Sequence, residues 1–222
     1  NKFYQPLLSE CIKRGGERIF IDLEKLDKQN RQGRLNTWKS DHVMSDILKI
    51  REIVPLGKLL VRLNKWNENS EKEIIEAIEN GADYLMLPMI NSLDEIKNFC
   101  DIVNQKVRVI PLIETPISLK LLPDIIKLAG VSEIYIGLND LSIGMGYNFC
   151  FEPLMNGCLE EASKLLKLNK IPWGFGGIAK SQEGIIPAEL IIGEHIRLGS
   201  SKVILSQAFH KNKKTVNELE KF

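Results

Sequence analysis

Cysteine is scarce in this sequence. The chain of 222 residues has four, Cys11, Cys100, Cys150 and Cys158, and none has the spacing of a zinc site. Four are also too few for the disulfide scaffold of a small secreted domain. We therefore expect reduced, buried thiols and a cytoplasmic location.

Long apolar runs and an excess of one charge are also missing. No apolar stretch approaches the roughly 20 residues of a membrane-spanning helix, so we expect no membrane partner. Lys and Arg number 30 against 29 for Asp and Glu, a formal charge of +1. This balance gives no indication of a nucleic-acid partner. The opening Asn-Lys-Phe-Tyr lacks both an initiator Met and the apolar core of a signal peptide, so we expect a sequence that begins inside a longer one.

What is present is a regular alternation of elements. Short apolar, β-type runs centred near positions 20, 61, 86, 110, 135, 174 and 204 are separated by amphipathic helical stretches, the first helix being residues 3–14. Such alternation predicts repeated βα units around a parallel sheet. With 44% hydrophobic residues and no linker composition, residues 1–222 are expected to form a single domain. The Lys/Asn-rich tail 211–222 can extend as a helix.

Two acidic residues each follow a β-type run. Glu114 comes directly after residues 109–113, and Asp140 comes shortly after residues 134–136. If these runs are neighbouring parallel strands, both carboxylates lie at the mouth formed by the C-terminal strand ends, where α/β folds build their sites. Two oxygen ligands with room for water and substrate suit Mg²⁺ or Mn²⁺. The alternative is that Glu114 caps the next helix and Asp140 is a loop or N-cap acid.

The sequences around these two acids resemble a known family. Pro-Leu-Ile-Glu-Thr-Pro at 111–116 and Gly-Leu-Asn-Asp-Leu-Ser-Ile-Gly-Met-Gly-Tyr at 137–147 are similar to the metal-binding segments of the HpcH/HpaI aldolase and citrate lyase β-subunit family. The resemblance implies that Glu114 and Asp140 hold Mg²⁺ or Mn²⁺, which chelates a 2-oxo acid. It also implies that the substrate carboxylate is bound by backbone N–H groups of the turn, at Gly137, Leu138 and Asn139.

That family has the fold of the phosphoenolpyruvate/pyruvate-binding TIM barrels, so the resemblance implies a (β/α)₈ barrel. Seven strands are visible in the sequence, and the chain begins with a helix. We therefore expect a barrel whose first strand is missing from the chain as given. The alternative is an open α/β sheet of seven strands.

Three further residues are candidates for catalysis. Arg62 lies in Val-Arg-Leu-Asn, a segment that resembles the family's substrate-binding arginine, and it could bind a carboxylate or enolate oxygen. Asp22 and Glu24, in Ile-Asp-Leu-Glu, resemble the family's Asp-x-Glu and occupy alternate strand positions. They could hold metal-bound water, orient Arg62 or act as a base. The alternative for all three is a structural ion pair, because an Arg within an apolar strand is costly unless it is paired.

The sequence also departs from its relatives. After Asp-x-Glu, the aldolase branch has a catalytic His and the citrate lyase branch another Asp, whereas this chain has Lys25. Lys25 could replace that group only if its pKa were lowered. The segment Leu-Pro-Met around Pro88, a predicted substrate contact, resembles the aldolase branch, where a coenzyme A thioester is not the substrate.

These features predict a divalent-metal-dependent carbon–carbon lyase or aldolase that acts on a 2-oxo acid through a pyruvate-type enolate. One alternative is a transferase or mutase that uses phosphoenolpyruvate. Another is a non-catalytic binding or assembly barrel that retains the metal site. We also expect a homo-oligomer, because an exposed sheet edge favours association.

Overall fold

The computed structural model describes residues 5–26, 40–178 and 186–205. Its strands form one seven-stranded sheet in chain order, and every neighbouring pair is parallel. The strands are β1 (Ile19–Asp22), β2 (Leu59–Arg62), β3 (Tyr84–Leu87), β4 (Arg108–Ile113), β5 (Ile134–Ile136), β6 (Trp173–Ile178) and β7 (Lys202–Leu205). All seven predicted strands are confirmed.

Each connection between consecutive strands contains at least one helix. Within the described ranges they are α1 (Gln5–Lys13), α2 (Asp46–Arg51), α3 (Ser70–Glu79), α4 (Leu93–Val103), α5 (Pro116–Ile125), α6 (Leu138–Gly144), α7 (Glu152–Met155), α8 (Cys158–Leu168) and α9 (Ala188–Leu198). No helix in this part of the chain is long and apolar enough to cross a membrane.

Alternation along the strands gives the sheet two buried faces. One face forms a small apolar cluster of Leu60, Tyr84, Met86, Ile110, Leu112 and Tyr135. The other face supplies residues such as Val61, Leu85 and Phe175 to the larger core that includes the helices. Strands buried on both faces, with helices outside, have the layering of a β/α barrel.

Ion pairs at the N-terminal ends of the strands show how far the sheet curls. Arg18, just before β1, donates to Glu133, just before β5, at 2.8 Å. Lys202, which begins β7, donates to Glu17 at 2.6 Å. Strands far apart in the sheet order therefore come together at one end of the molecule. The fold is of the TIM-barrel type, as predicted. Within the described residues β1 and β7 are not paired, and the expected eighth strand is not among them.

The register between β6 and β7 shifts between Gly174 and Gly177. A Cβ on Gly174 would lie 2.2 Å from the carbonyl oxygen of Lys202, so only glycine fits there. The Tyr135 hydroxyl joins the two strands at this irregularity. It accepts a hydrogen bond from Ile204 N at 2.8 Å and donates to the carbonyl oxygen of Gly176.

Some helix boundaries differ from the expected ones. The periodic pattern predicts a helix over 41–54, but α2 begins at Asp46, whose carboxylate accepts a hydrogen bond from Val43 N. Val43, which the pattern places in the core, is 43% exposed. The pattern also predicts one helix over 151–168, but this stretch is divided into α7 and α8 at Gly157, which has a φ of 80°. The tail 211–222 lies outside the described residues.

Candidate active site

Four acidic side chains and one arginine meet at the C-terminal ends of the strands. Asp22 and Arg62 are register partners at the ends of β1 and β2. Glu24 follows β1, Glu114 follows β4, and Asp140 lies in the first turn of α6, just after β5. The electrostatic environment of Glu114 includes the charges of Arg62, Asp140 and Glu24. The structure thus brings the five predicted catalytic and metal-binding residues into one group.

Arg62 is held by the two acids of the Ile-Asp-Leu-Glu segment. Its Nε and Nη2 donate to the two carboxylate oxygens of Asp22 at 2.9 and 2.7 Å, and Nη2 lies 3.4 Å from a Glu24 oxygen. Burial opposes the charge of Arg62, but the hydrogen bond to Asp22 and the nearby negative charges outweigh it and raise its pKa. Pairing between Arg62, Asp22 and Glu24, one of the two possibilities that the sequence left open, is present.

Glu114 is a buried carboxyl, with 3% of its surface exposed. Its Oε1 accepts a hydrogen bond from the backbone N–H of Met89 at 3.1 Å. Burial raises the pKa of Glu114 to about 8; Arg62 opposes this rise, whereas Asp140 and Glu24 add to it. Glu114 does not cap α5. That helix is capped instead by Thr115, in a capping box with Ser118.

The turn after β5 places Asp140 and shapes the space beside Glu114. Gly137 has ordinary backbone angles, yet a Cβ there would lie 2.7 Å from Glu114 Oε2. Its N–H donates to the carbonyl oxygen of Ile113 and is therefore engaged in the sheet. The N–H groups of Leu138 and Asn139 belong to the first turn of α6, where amides have no acceptor within the helix. Of the three predicted carboxylate-binding amides, these two are the ones outside the sheet ladder.

The charge balance of this group fits a divalent cation. Glu114 lies near the carboxylates of Asp140 and Glu24, and burial together with these negative charges raises its pKa, although Arg62 opposes the rise. Hard oxygen donors are the ligands that Mg²⁺ prefers, usually with only one or two from the protein. In the described part of the chain no cluster of three or more His, Cys, Asp or Glu side chains could hold a metal. Glu114 and Asp140 would therefore need water or substrate oxygens to complete the coordination.

The remaining candidates for proton transfer are Lys25 and the three histidines. The Lys25 side chain is exposed, and its backbone N–H donates to Asn64 Oδ1 at 2.9 Å. His195 is stacked on Phe175 in the outer core, with 3.8 Å between ring centroids, and His42 pairs with Ser40. His210 lies outside the described residues.

Sequence reasoning missed the contribution of the turn after β3. Pro88, the predicted substrate contact, is buried next to Met89. Met89 donates to Glu114, and Thr115 Oγ1 donates to the carbonyl oxygen of Ile90 at 2.6 Å. Backbone groups carry no residue-type signal, so no motif could have indicated this contact. The neighbouring proline is the one sequence feature that marks a turn there.

Comparison with known proteins agrees with this arrangement. The model of the HpcH/HpaI aldolase/citrate lyase family matches residues 41–150, which include Arg62, Glu114 and Asp140. These residues belong to the HpcH/HpaI family. The resemblance seen in the sequence is thereby confirmed, and the family indicates an activity of the aldolase or citrate lyase type. Among curated proteins no sequence matches the chain.

Solved structures similar to this chain share its fold. A citrate lyase from Burkholderia xenovorans LB400 is 14% identical, with a TM-score of 0.68 over 91% of this chain and 70% of its own. RipC from Yersinia pestis is 19% identical, with a TM-score of 0.62 over 93% of each chain. The citrate synthase SbnG is 16% identical, with a TM-score of 0.62 over 90% of this chain and 81% of its own. At these identities the likeness establishes the fold alone.

Proposed function

We propose that this chain is a divalent-metal-dependent carbon–carbon lyase or aldolase acting on a small 2-oxo acid. The observation that supports it most is the buried carboxylate of Glu114 beside those of Asp140 and Glu24, which together with burial raise the pKa of Glu114 to about 8. A buried group of like charges is costly unless a cation joins it. Glu114 and Asp140 are the residues that would hold Mg²⁺ or Mn²⁺.

The metal, when bound, would supply Lewis-acid stabilisation of negative charge on the 2-oxo oxygen. The protein's own groups would do the rest. The amides of Leu138 and Asn139 would bind the substrate carboxylate, with Pro88 and Gly137 forming part of the wall. Arg62 would favour the enolate by its positive charge, and Asp22 and Glu24 would fix the orientation of its guanidinium. Its Nη1 has no hydrogen-bond partner among the described residues and is the atom free to contact the substrate.

The proposed chemistry can run as cleavage or as formation of a carbon–carbon bond, and the assay distinguishes the two directions. The family model covers aldolases and lyases, whereas the structurally similar SbnG is a citrate synthase. Cleavage and formation of a carbon–carbon bond share the same enolate, so one site can serve both. The phosphoenolpyruvate-using transferase would also rely on this enolate and remains a second outcome of the same assay.

The test is to incubate the protein with Mn²⁺ and a panel of 4-hydroxy-2-oxo acids and to follow pyruvate release. The reverse reaction is assayed with pyruvate or phosphoenolpyruvate and an aldehyde or 2-oxo acid acceptor. Glu114→Gln and Asp140→Asn should each abolish turnover and tight Mn²⁺ binding while leaving the fold intact. The matched control is Asp124→Asn on α5, because Asp124 is an exposed acid paired with Lys127.

Each outcome discriminates between hypotheses. Turnover lost in both variants but kept in the control supports the proposal. Tight Mn²⁺ binding by the wild type without turnover on any substrate favours the non-catalytic binding barrel. Unchanged Mn²⁺ affinity in Glu114→Gln and Asp140→Asn would show that the metal assignment is wrong.

A further inference from the structure

Met89 has an unusual backbone conformation for its position. It follows β3 and Pro88, and its φ is 53°, in the left-handed region that residues with a Cβ rarely adopt. The other non-glycine residues with positive φ in the described ranges are Asn104, Gln105 and Lys170, all in turns that follow helices. Met89 alone among these four lies at the C-terminal end of a strand. Strained backbone at such a place is a reason to look for a functional role.

Three hydrogen bonds hold the turn at Met89. Its N–H donates to Glu114 Oε1 at 3.1 Å, and its carbonyl oxygen accepts from Asn91 Nδ2 at 2.8 Å. The carbonyl oxygen of Ile90 accepts from Thr115 Oγ1 at 2.6 Å. The turn after β3 is thus tied to two consecutive residues, Glu114 and Thr115, at the end of β4. These bonds explain how the left-handed conformation persists.

The same contacts define the position of the Glu114 carboxylate. Oε1 is bound by the Met89 amide, and Oε2 lies in the space that the missing side chain of Gly137 leaves open. Glu114 is 3% exposed, so water does not provide many alternative partners. In the left-handed conformation the Met89 N–H lies within hydrogen-bond reach of the carboxylate. The Met89 side chain takes no part in this hydrogen bond.

We propose that the backbone N–H of Met89 is a positioning group that fixes the orientation of the Glu114 carboxylate for metal binding. The metal-binding part of this inference rests on the proposed function, whereas the contact itself does not. The left-handed conformation directs the Met89 N–H toward the Glu114 carboxylate, so a residue that tolerates this conformation should preserve the site. A residue that resists the conformation should disturb it.

The first experiment compares Met89→Gly with Met89→Val by calorimetric titration with Mn²⁺. Glycine adopts positive φ readily and keeps the N–H, so Met89→Gly should bind Mn²⁺ as tightly as the wild type. A β-branched residue is strongly disfavoured there, so Met89→Val should bind about 10–100-fold more weakly, as when other groups that support metal ligands are removed. The matched control is Lys170→Val, because Lys170 has a φ of 56° in the turn after α8. It should destabilise the fold comparably and leave Mn²⁺ affinity unchanged.

The second experiment needs no metal. Amide hydrogen exchange of Met89, followed by NMR, should be slow in the wild type and much faster in Glu114→Ala, which removes the acceptor. Fast exchange in the wild type, or equal Mn²⁺ affinity in Met89→Val and the wild type, would overturn the positioning role. A wild type that fails to bind Mn²⁺ but shows slow, Glu114-dependent exchange would refute the metal-dependent function and leave the positioning contact standing.

Discussion

Replacement of Gly137 by alanine should damage the site without straining the backbone. Gly137 has φ −87° and ψ 99°, which alanine adopts freely. The added Cβ would lie 2.7 Å from Glu114 Oε2, 2.9 Å from Glu114 Cβ and 3.4 Å from Leu112 Cδ1. Non-bonded carbons prefer separations of about 3.5–4.0 Å. Glu114 must therefore move at both ends of its side chain, and its Cβ cannot move without its strand.

The expected effect on stability follows from overpacking, which costs about 1–3 kcal/mol in well-packed interiors. The effect on the proposed metal site should be a loss of about 10–100-fold in Mn²⁺ affinity, because the carboxylate can no longer keep both its orientation and its bond to Met89. Urea unfolding of the metal-free protein measures the first quantity, and calorimetry measures the second.

The control for this variant is Gly193→Ala. Gly193 lies within α9, and a Cβ there would have no atom within 4 Å. The same substitution should raise stability by up to about 1 kcal/mol, the difference in helix propensity between the two residues, and leave Mn²⁺ affinity unchanged. If Gly137→Ala matched the wild type in both urea midpoint and Mn²⁺ affinity, the close packing of Gly137 against Glu114 would be wrong.

Four further predictions follow from other parts of the molecule. Arg62→Lys should fold but lose roughly tenfold or more in oxalate affinity by calorimetry, because an ammonium cannot replace the planar fork and a charged hydrogen bond contributes about 1.5–3 kcal/mol; unchanged affinity would make Arg62 purely structural. Tyr135→Phe should cost about 1–3 kcal/mol in urea unfolding, since it leaves Ile204 N–H and a β6 carbonyl unpaired; no loss would contradict the bridge. Burial lowers the pKa of His195 from 6.5 to about 4, so between these pH values the unfolded chain binds a proton that the folded protein does not. The free energy of unfolding should therefore fall by up to about 3 kcal/mol as pH drops from 6.5 to 4. His195→Gln should lack this part of the decrease, and an unchanged dependence of stability on pH in that variant would refute the prediction. We also propose that the chain forms a homo-oligomer. The mass measured by light scattering should fall to that of a monomer when residues 211–222 are removed, and a monomeric mass for the wild type at micromolar concentration would refute the proposal.

The fold was accessible from the sequence because its main signals are local. Apolar runs of three to six residues between amphipathic stretches predict strands, and each of the seven centres lies within an observed strand. Helix ends were less accessible. Ser70 has the spacing of a capping box with Glu73, but its hydroxyl accepts a hydrogen bond from Asn67, and Glu73 binds Asn64. The side chains of Ser70 and Glu73 could either cap each other's end of the helix or bind the preceding loop. In the structure they bind Asn67 and Asn64 of that loop.

The side chains of the site could be predicted from the sequence, whereas its backbone contacts could not. Acids at strand ends could be paired from spacing, and Arg62 could be matched with acids because a buried guanidinium needs a partner. The amide of Met89 and the space beside Gly137 depend on the relative placement of β3, β4 and β5. That placement results from packing across the whole sheet. Sequence reasoning therefore identified the charged groups but not what orients them.

The arrangement of the site lowers the stability of the folded protein. A costly arrangement of this kind supports a functional origin. Burial raises the pKa of Glu114 from 4.5 to about 8, so the folded protein binds a proton more tightly than the unfolded chain in this range. Without a cation, the free energy of unfolding should therefore fall as pH rises from 4.5 to 8. The left-handed Met89 adds backbone strain beside the same carboxylate. A chain shaped by stability alone would place an apolar residue at 114 and an unstrained turn after β3. The raised pKa of Glu114 and the strained amide directed at its carboxylate both support the cation site proposed above.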